Sequence, residues 1–212
     1  YFLKEVGVSK ILEFASIRKK AEHLVAVSSI HSVTDFNSIY DTVYSLYGSL
    51  SYETIRRIQQ LEIDTECKLA YGIRDNISKI KHLKETSQKV VFISDMYLSA
   101  TDIHKILLSV DEELDDIPIY VSSEWGCTKQ DGELFLKVKE KENALFNKWI
   151  HTGDDVLGDV NVPDLLGIEI KQYKRGTEFG IELFFRKRLF LNPDISNLGV
   201  GIAKRLLSEN VW

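Results

Sequence analysis

The stretch Lys89-Val-Val-Phe-Ile-Ser-Asp-Met-Tyr-Leu-Ser99 decides how the rest of the chain is interpreted. Its four consecutive apolar residues, 90–93, end abruptly at the polar pair Ser94-Asp95. A short apolar run that is rich in β-branched residues and bounded by polar ones is typical of a strand buried on both faces. Ser99 and Asp102 then have the spacing of a capping box, which predicts that a helix follows the strand.

The alternation of strand and helix continues towards the carboxyl terminus. Strands are predicted at 90–94, 117–121, 148–152 and 168–173, and helices at 101–110, 132–141 and 160–166. Strands that alternate with helices of this length indicate a parallel sheet with right-handed crossovers. Residues 1–86 show apolar side chains at helical spacing only, and they predict a helical bundle with short connections. The predicted fold class is therefore α/β, with a helical half before the sheet.

Composition narrows the classes of function. The 212 residues are 44% hydrophobic and 28% charged. Their formal net charge of −5 argues against electrostatic binding of nucleic acid. No run of apolar residues is long enough for a membrane span. The two cysteines, Cys67 and Cys127, have neither a metal-ligand spacing nor the pattern of a disulfide framework, so we expect a reduced, cytoplasmic setting.

Polar residues stand at three of the predicted strand ends. Ser94 ends the first strand, Lys129 lies between a strand and a helix, and Asp154 and Asp159 follow the third strand. Because the carboxyl ends of parallel strands share one edge, we expect these four side chains to converge. A hydroxyl and an ammonium group suit a phosphoryl group, and two carboxylates suit Mg²⁺. The set is typical of phosphoryl transfer.

These residues resemble the motifs of the haloacid dehalogenase (HAD) superfamily of hydrolases. Its second motif is a Ser or Thr at the end of an apolar strand, as at Ser94. Its third is a Lys beside a helix start, as at Lys129, and its fourth resembles Gly153-Asp154-Asp155-Val-Leu-Gly-Asp159. The wider strings Ile-Ser-Asp-Met-Tyr-Leu and Tyr-Val-Ser-Ser-Glu are similar to one bacterial branch. That branch is often joined to glycosyltransferases of surface-polysaccharide synthesis.

The resemblance implies a HAD-like Rossmannoid parallel sheet with an all-helical cap. The cap would be 1–86, the α/β core 87–176, and a C-terminal helical segment 177–212. It also implies a Mg²⁺-dependent phosphohydrolase that acts on a small phosphate ester. The substrate would be bound by Ser94, Asp95 and Lys129, of which Ser94 and Lys129 are also the catalytic candidates, and the metal by Asp154 and Asp159.

The sequence departs from the family at the first motif, Asp-x-Asp-x-Thr, whose first Asp attacks phosphorus. No Asp-x-Asp occurs in the 212 residues. We expect either that the motif precedes Tyr1, on the central strand of the sheet, or that the site is incomplete. The alternative function is a catalytically incomplete HAD-like module that docks to or regulates a polysaccharide glycosyltransferase. A phosphate-binding scaffold without turnover is a third possibility.

Simpler roles remain open for several of these residues. Ser94 could only cap a loop, and Asp154 or Asp159 could cap the next helix, where Asp is favoured. His151 is expected to be a packed core residue. Glu62 and Glu66, four residues apart on one helical face, suggest a carboxylate pair, but we expect a solvated face.

Overall fold

The computed structural model describes residues 11–28, 33–142 and 148–173, and it shows a mixed α/β chain that is mostly helical. The predicted C-terminal helical segment, 177–212, lies outside these residues. Backbone contacts divide the chain into two compact units. The first unit lies within Tyr1–Gly72 and Lys81–Leu145, and the second within Ile73–Ile80 and Phe146–Trp212. This division differs from the predicted one, in which 1–86 form a separate cap, and the cap stays a prediction.

Among the described residues, four helices precede β1, as the apolar spacing predicts. They are α1 Ile11–Ser28, α2 Phe36–Tyr47, α3 Tyr52–Leu69 and α4 Arg74–Glu85. Side chains cap two of them: Asp35 accepts the backbone N–H of Ser38 and Ser51 accepts that of Thr54. Helix α2 ends at Gly48, whose φ of 60° lies in the left-handed region that favours glycine.

The α/β part of the first unit follows the predicted order. It contains β1 Phe92–Ser94, α5 Ala100–Val110, a 3₁₀ turn Glu112–Leu114, β2 Ile119–Val121, α6 Ser122–Trp125 and α7 Glu133–Lys141. Strands β1 and β2 are parallel, and Ser94 stands opposite Val121. The side chain of Ser99 accepts the N–H of Asp102, which confirms the predicted cap of α5. The side chains of β1 are half-buried, not buried on both faces as predicted, because β1 pairs with β2 alone among the described residues.

The second unit contains the other two predicted strands. Strand β3 Ile150–Gly153 is followed by a π-helix Val156–Asn161, α8 Val162–Leu165 and β4 Glu169–Gln172. Strands β3 and β4 are parallel, with Ile150 opposite Glu169. All four predicted strands therefore exist, but in the described part of the chain they form two two-stranded sheets where the sequence predicts one. The single predicted helix at 160–166 is a π-helix continued by α8.

The core of the first unit joins the helices to the loop after β1. Its buried side chains include Phe14 of α1, Ile39 of α2 and Ile55 of α3, together with Leu98 in that loop. Ile103 of α5 packs against the same cluster. Since these apolar side chains share one core, the helical residues and the β1–α5 segment stabilise each other.

An arginine of α1 is held inside this unit by a carboxylate of α3. The guanidinium of Arg18 donates to both oxygens of Glu62, at 3.1 and 2.8 Å, and to Glu22 at 2.8 Å. Burial lowers the pKa of Arg18, but the hydrogen bonds and charge of Glu62 outweigh it, so the pKa of the guanidinium is raised. Glu62 is therefore not part of a solvated face, and that prediction was wrong; Glu66 is exposed as expected.

Aromatic rings surround the same guanidinium. Its central carbon lies 5.9, 5.5 and 5.2 Å from the ring centroids of Phe36, Tyr40 and Tyr97. The hydroxyl of Tyr40 donates to Glu62 at 2.5 Å. Burial, together with the charge and hydrogen bond of Glu62, raises the pKa of Tyr40. Because Tyr97 belongs to the β1–α5 loop, Arg18 ties three helices to that loop.

Neutralising Glu62 is expected to destabilise the protein far more than neutralising Glu22. The side chains of Arg18 and Glu62 are 12% and 26% exposed, whereas that of Glu22 is 47% exposed. E62Q leaves a mostly buried guanidinium without its counter-charge and should lower the free energy of unfolding by about 2 kcal/mol. E22Q should lower it by less than about 0.5 kcal/mol. Urea unfolding measures both, and equal losses would contradict the assignment.

Candidate functional site

The first part of the candidate site lies at the carboxyl ends of β1 and β2. Strand β1 ends at Ser94, and the next residue, Asp95, directs its carboxylate to the backbone of Lys129. Both carboxylate oxygens accept the N–H of Lys129, at 2.9 and 3.0 Å. Two segments that are far apart in the sequence, and that both carry predicted site residues, are therefore in direct contact.

The loop of residues 95–99 is fixed along its length by the segment that follows β2. Three hydrogen bonds do this: Met96 N–H to Ser122 Oγ at 3.0 Å, Ser123 Oγ to the Leu98 carbonyl at 2.8 Å, and Ala100 N–H to Glu124 Oε1 at 2.8 Å. None of these three side chains was predicted as a site residue. The signal was the string Tyr-Val-Ser-Ser-Glu, in which two hydroxyls and a carboxylate follow a short strand.

A local turn positions Lys129 before α7. The carboxylate of Asp131 accepts the N–H groups of Thr128 and Glu133, and the hydroxyl of Thr128 accepts the N–H of Asp131. Such reciprocal bonds of Asp and Thr side chains to nearby backbone are typical of turns that lead into a helix. The side chain of Lys129 is half-buried. Its backbone position is thus determined from both sides, by this turn and by Asp95.

The neighbouring side chains have structural roles. Trp125 packs edge-on against Tyr120, with 5.5 Å between ring centroids, and its carbonyl accepts a bond from Lys137. These contacts favour a role of Trp125 in packing the loop over a role in the wall of a pocket. Burial raises the pKa of the Cys127 thiol, with partial opposition from Lys137. A thiol with a raised pKa is a poor nucleophile at neutral pH, so Cys127 does not suit nucleophilic catalysis.

The second part of the candidate site is the turn after β3. The buried carboxylate of Asp159 accepts the N–H groups of Asp154 and Asp155 through Oδ2, both at 3.1 Å. Its Oδ1 lies 2.8 Å from Nε2 of His151, which is buried as predicted. The cap of the following helix is Asp155, which accepts the N–H of Gly158 at 2.7 Å. The capping role that was the alternative for Asp154 and Asp159 therefore belongs to their neighbour Asp155.

In this geometry the two predicted metal ligands, Asp154 and Asp159, have different roles. Asp159 uses both carboxylate oxygens to hold the turn, whereas Asp154 is half-buried directly after the strand end. Mg²⁺ is usually bound by one or two carboxylates and otherwise keeps water or substrate oxygens. Asp159 therefore positions the turn that carries Asp154, and the binding of a metal by either residue stays a prediction. Within the described ranges, no group of three or more His, Cys, Asp and Glu side chains is arranged to hold a metal ion.

The predicted site residues form two pairs. Asp95 contacts Lys129 in the first unit, beside Ser94, and Asp159 contacts Asp154 in the second. Each pair lies at the carboxyl end of a parallel strand, where ligands bind in α/β folds. That the two pairs meet at one edge stays a prediction.

No family model matches this chain, and no curated protein matches its sequence. The resemblance to HAD hydrolases therefore depends on the motif residues themselves. In the part of the chain that the structure describes, no helix combines the length and the apolar composition needed to cross a bilayer.

Replacing Gly153 is expected to disrupt the turn after β3. A Cβ at this position would lie 2.2 Å from Cγ of Asp159, which cannot move without losing its bonds to the turn. G153A should lower the free energy of unfolding by about 3 kcal/mol through overpacking. It should also shift the backbone amide NMR signals of Asp154 and Asp155.

The matched control is G167A in the same unit. Gly167 has φ of 74° and open space around its Cβ position, so only backbone strain of about 1 kcal/mol is expected. Its substitution should leave the signals of Asp154 and Asp155 in place. If G153A behaves like G167A in both measurements, Asp159 does not hold the turn as described.

Proposed function

We propose that this chain forms part of a Mg²⁺-dependent HAD-type phosphohydrolase that acts on a small phosphate ester. The observation that carries the proposal is the contact between Asp95 and Lys129 at the carboxyl ends of β1 and β2. It joins the segment of the second HAD-like motif to that of the third. A hydroxyl and an ammonium group from these segments suit the oxygens of a phosphoryl group.

Each residue of the first unit has a distinct role in this proposal. The hydroxyl of Ser94 donates a hydrogen bond to a phosphoryl oxygen, and the ammonium group of Lys129 neutralises the charge of the nucleophile and the phosphate. Asp95 positions the Lys129 loop, since both its carboxylate oxygens accept the same N–H, and its binding of substrate stays a prediction.

The turn after β3 suits the metal. Asp154 is the proposed ligand, and Asp159 keeps the turn in shape through its bonds to the backbone and to His151. A bound Mg²⁺ would neutralise charge on the phosphate. The carboxylate of Asp154 fits this ion, because Mg²⁺ prefers oxygen ligands and usually takes only one or two of them from the protein.

The nucleophile in this proposal is an aspartate of an Asp-x-Asp-x-Thr motif that the 212 residues do not contain. Its carboxylate attacks phosphorus, the ester P–O bond breaks, and the second Asp supplies the proton to the leaving alcohol. Water then hydrolyses the aspartyl-phosphate. Among the described strands, β1 and β3 each pair with one neighbour only, so each has an edge at which a further strand can add.

The second candidate is a catalytically incomplete HAD-like module that docks to or regulates a polysaccharide glycosyltransferase. One observation favours it: the carboxylate of Asp159 is engaged by the protein itself. The two candidates differ in turnover, which only the first requires.

Substitution of Lys129 tests the first candidate. In the protein encoded by the full gene, K129A should reduce hydrolysis of p-nitrophenyl phosphate with Mg²⁺ by about 10² to 10³-fold, because one charge-stabilising group is lost. K139A removes an exposed lysine of α7 and should leave the rate unchanged. No detectable hydrolysis by the unsubstituted protein would favour the non-catalytic module.

Substitution of Asp154 tests the metal assignment separately. D154N should raise the Mg²⁺ concentration needed for half-maximal hydrolysis by at least tenfold, because an anionic ligand becomes neutral. D164N, at an exposed aspartate of the same unit, should leave that concentration unchanged. Identical Mg²⁺ dependence in the two variants would remove Asp154 from the metal site.

A further inference from the structure

The first unit contains an open pocket of about 350 Å³, a volume within the range of small-molecule sites. Helices α2 and α3 form one wall, which includes Asn37, Arg56 and Gln59. The rest of the lining comes from the start of α5 and from α6, and includes Asp102 and Glu124. The pocket thus lies between the helical segment and the segments that follow β1 and β2.

Hydrogen bonds between polar side chains hold one wall in place. Arg56 donates to Gln59 Oε1 at 2.6 Å and to Asn37 Oδ1 at 3.3 Å, and Gln59 Nε2 donates to Asn37 Oδ1 at 3.0 Å. Gln59 is a buried side chain. A wall of connected amide groups is preorganised to exchange hydrogen bonds with a ligand, because its side chains lose little freedom on binding.

The charges of the residues that line the pocket disfavour binding of an anion. Arg56 is the basic residue of the lining, and its guanidinium is already paired with Asp41 at 2.5 Å. Asp102 pairs with Lys105 at 3.3 Å. The other two carboxylates, of Asp35 and Glu124, accept bonds from backbone N–H groups, and no ion pair among the described residues includes them. The pocket is therefore net negative and rich in hydrogen-bonding groups.

We infer that this pocket binds a polyhydroxylated group that is uncharged or carries an ammonium group, as in a sugar or an amino sugar. Carboxylate and amide oxygens accept bonds from hydroxyl and ammonium groups, and the amide nitrogen of Asn37 donates to hydroxyl oxygens. An anionic ligand of the same size would meet the charges of Asp35 and Glu124.

The pocket also bears on the substrate of the proposed hydrolase. Residues 95–99 connect the two places, because Asp95 contacts Lys129 and Ser99 lines the pocket. Four residues span at most about 14 Å, so both lie within the length of a sugar phosphate or a slightly larger ester. This step rests on the proposed function: the substrate class is a phosphate ester of a neutral or amino sugar. Occupation of the pocket itself does not depend on turnover.

Ligand-observed NMR titration tests the pocket with three probes of one carbon skeleton: glucose, glucosamine and gluconate. Saturable binding of glucose and glucosamine is expected, with gluconate at least tenfold weaker. Binding of gluconate as tight as that of glucosamine, or binding of neither sugar, overturns the inference. Because the readout is binding, an inactive protein that still binds the sugars refutes only the proposed hydrolase.

Variants locate the binding. Gln60 is an exposed residue of α3 that lines the pocket, and Q60W should fill the space and reduce sugar binding at least tenfold. T65W places the same side chain at an exposed position of α3 outside the pocket and should leave binding unchanged. Circular dichroism spectra and melting temperatures confirm that both variants fold. Unchanged binding in a folded Q60W protein places the sugar elsewhere.

A variant that removes one negative charge tests whether Glu124 recognises the ammonium group of glucosamine and not the hydroxyl groups. E124Q keeps an oxygen that accepts the N–H of Ala100 but removes one negative charge from the pocket. It should weaken glucosamine about three- to tenfold and leave glucose within about twofold. Equal effects on the two sugars contradict the role of Glu124 in recognising the ammonium group.

Discussion

The bidentate contact between the Asp95 carboxylate and the Lys129 backbone N–H is the constraint on which the candidate site depends. It connects the end of β1 to the loop before α7, and hydrogen bonds with the side chains of Ser122, Ser123 and Glu124 continue the connection along residues 96–100. A loop without regular structure is thereby held in one conformation. Because Leu98 of this loop is buried in the core of α1–α3, the helices also depend on it.

A carboxylate with several hydrogen-bond partners organises each unit, half-buried in the first and buried in the second. In the first, Glu62 satisfies Arg18 and Tyr40 beneath three aromatic rings. In the second, Asp159 satisfies His151 and two backbone N–H groups, and Gly153 leaves the space that its carboxylate needs. A carboxylate that is removed from water and loses its hydrogen-bond partners raises the free energy of the folded state. Each of these two carboxylates therefore constrains the positions of the groups bonded to it. Asp159 therefore has a structural role beside the functional one that its motif suggests.

In the proposed enzyme, the strand ends and the pocket would bind different parts of the substrate. Residues at the carboxyl ends of the strands deal with an anionic group, whereas the pocket between α2, α3 and α6 suits hydroxyls and a positive charge. Both depend on residues 95–99, which contribute Asp95 to one and Ser99 to the other. Recognition of a substrate and positioning of its phosphate would then be coupled through one short, rigid segment.

The sequence by itself determined the secondary structure: the helices of residues 11–85, the four strands and the cap of α5 follow from apolar periodicity and from Ser-x-x-Asp spacing, which are local properties. It also indicated Asp95, Lys129, Asp154 and Asp159, because these stand at strand ends. Only the tertiary structure decided that Glu62 pairs with Arg18, that β1 is half-buried beside one partner, and which side chains line the pocket. Those features join residues far apart in the chain, and no local pattern encodes which distant group a polar side chain will meet.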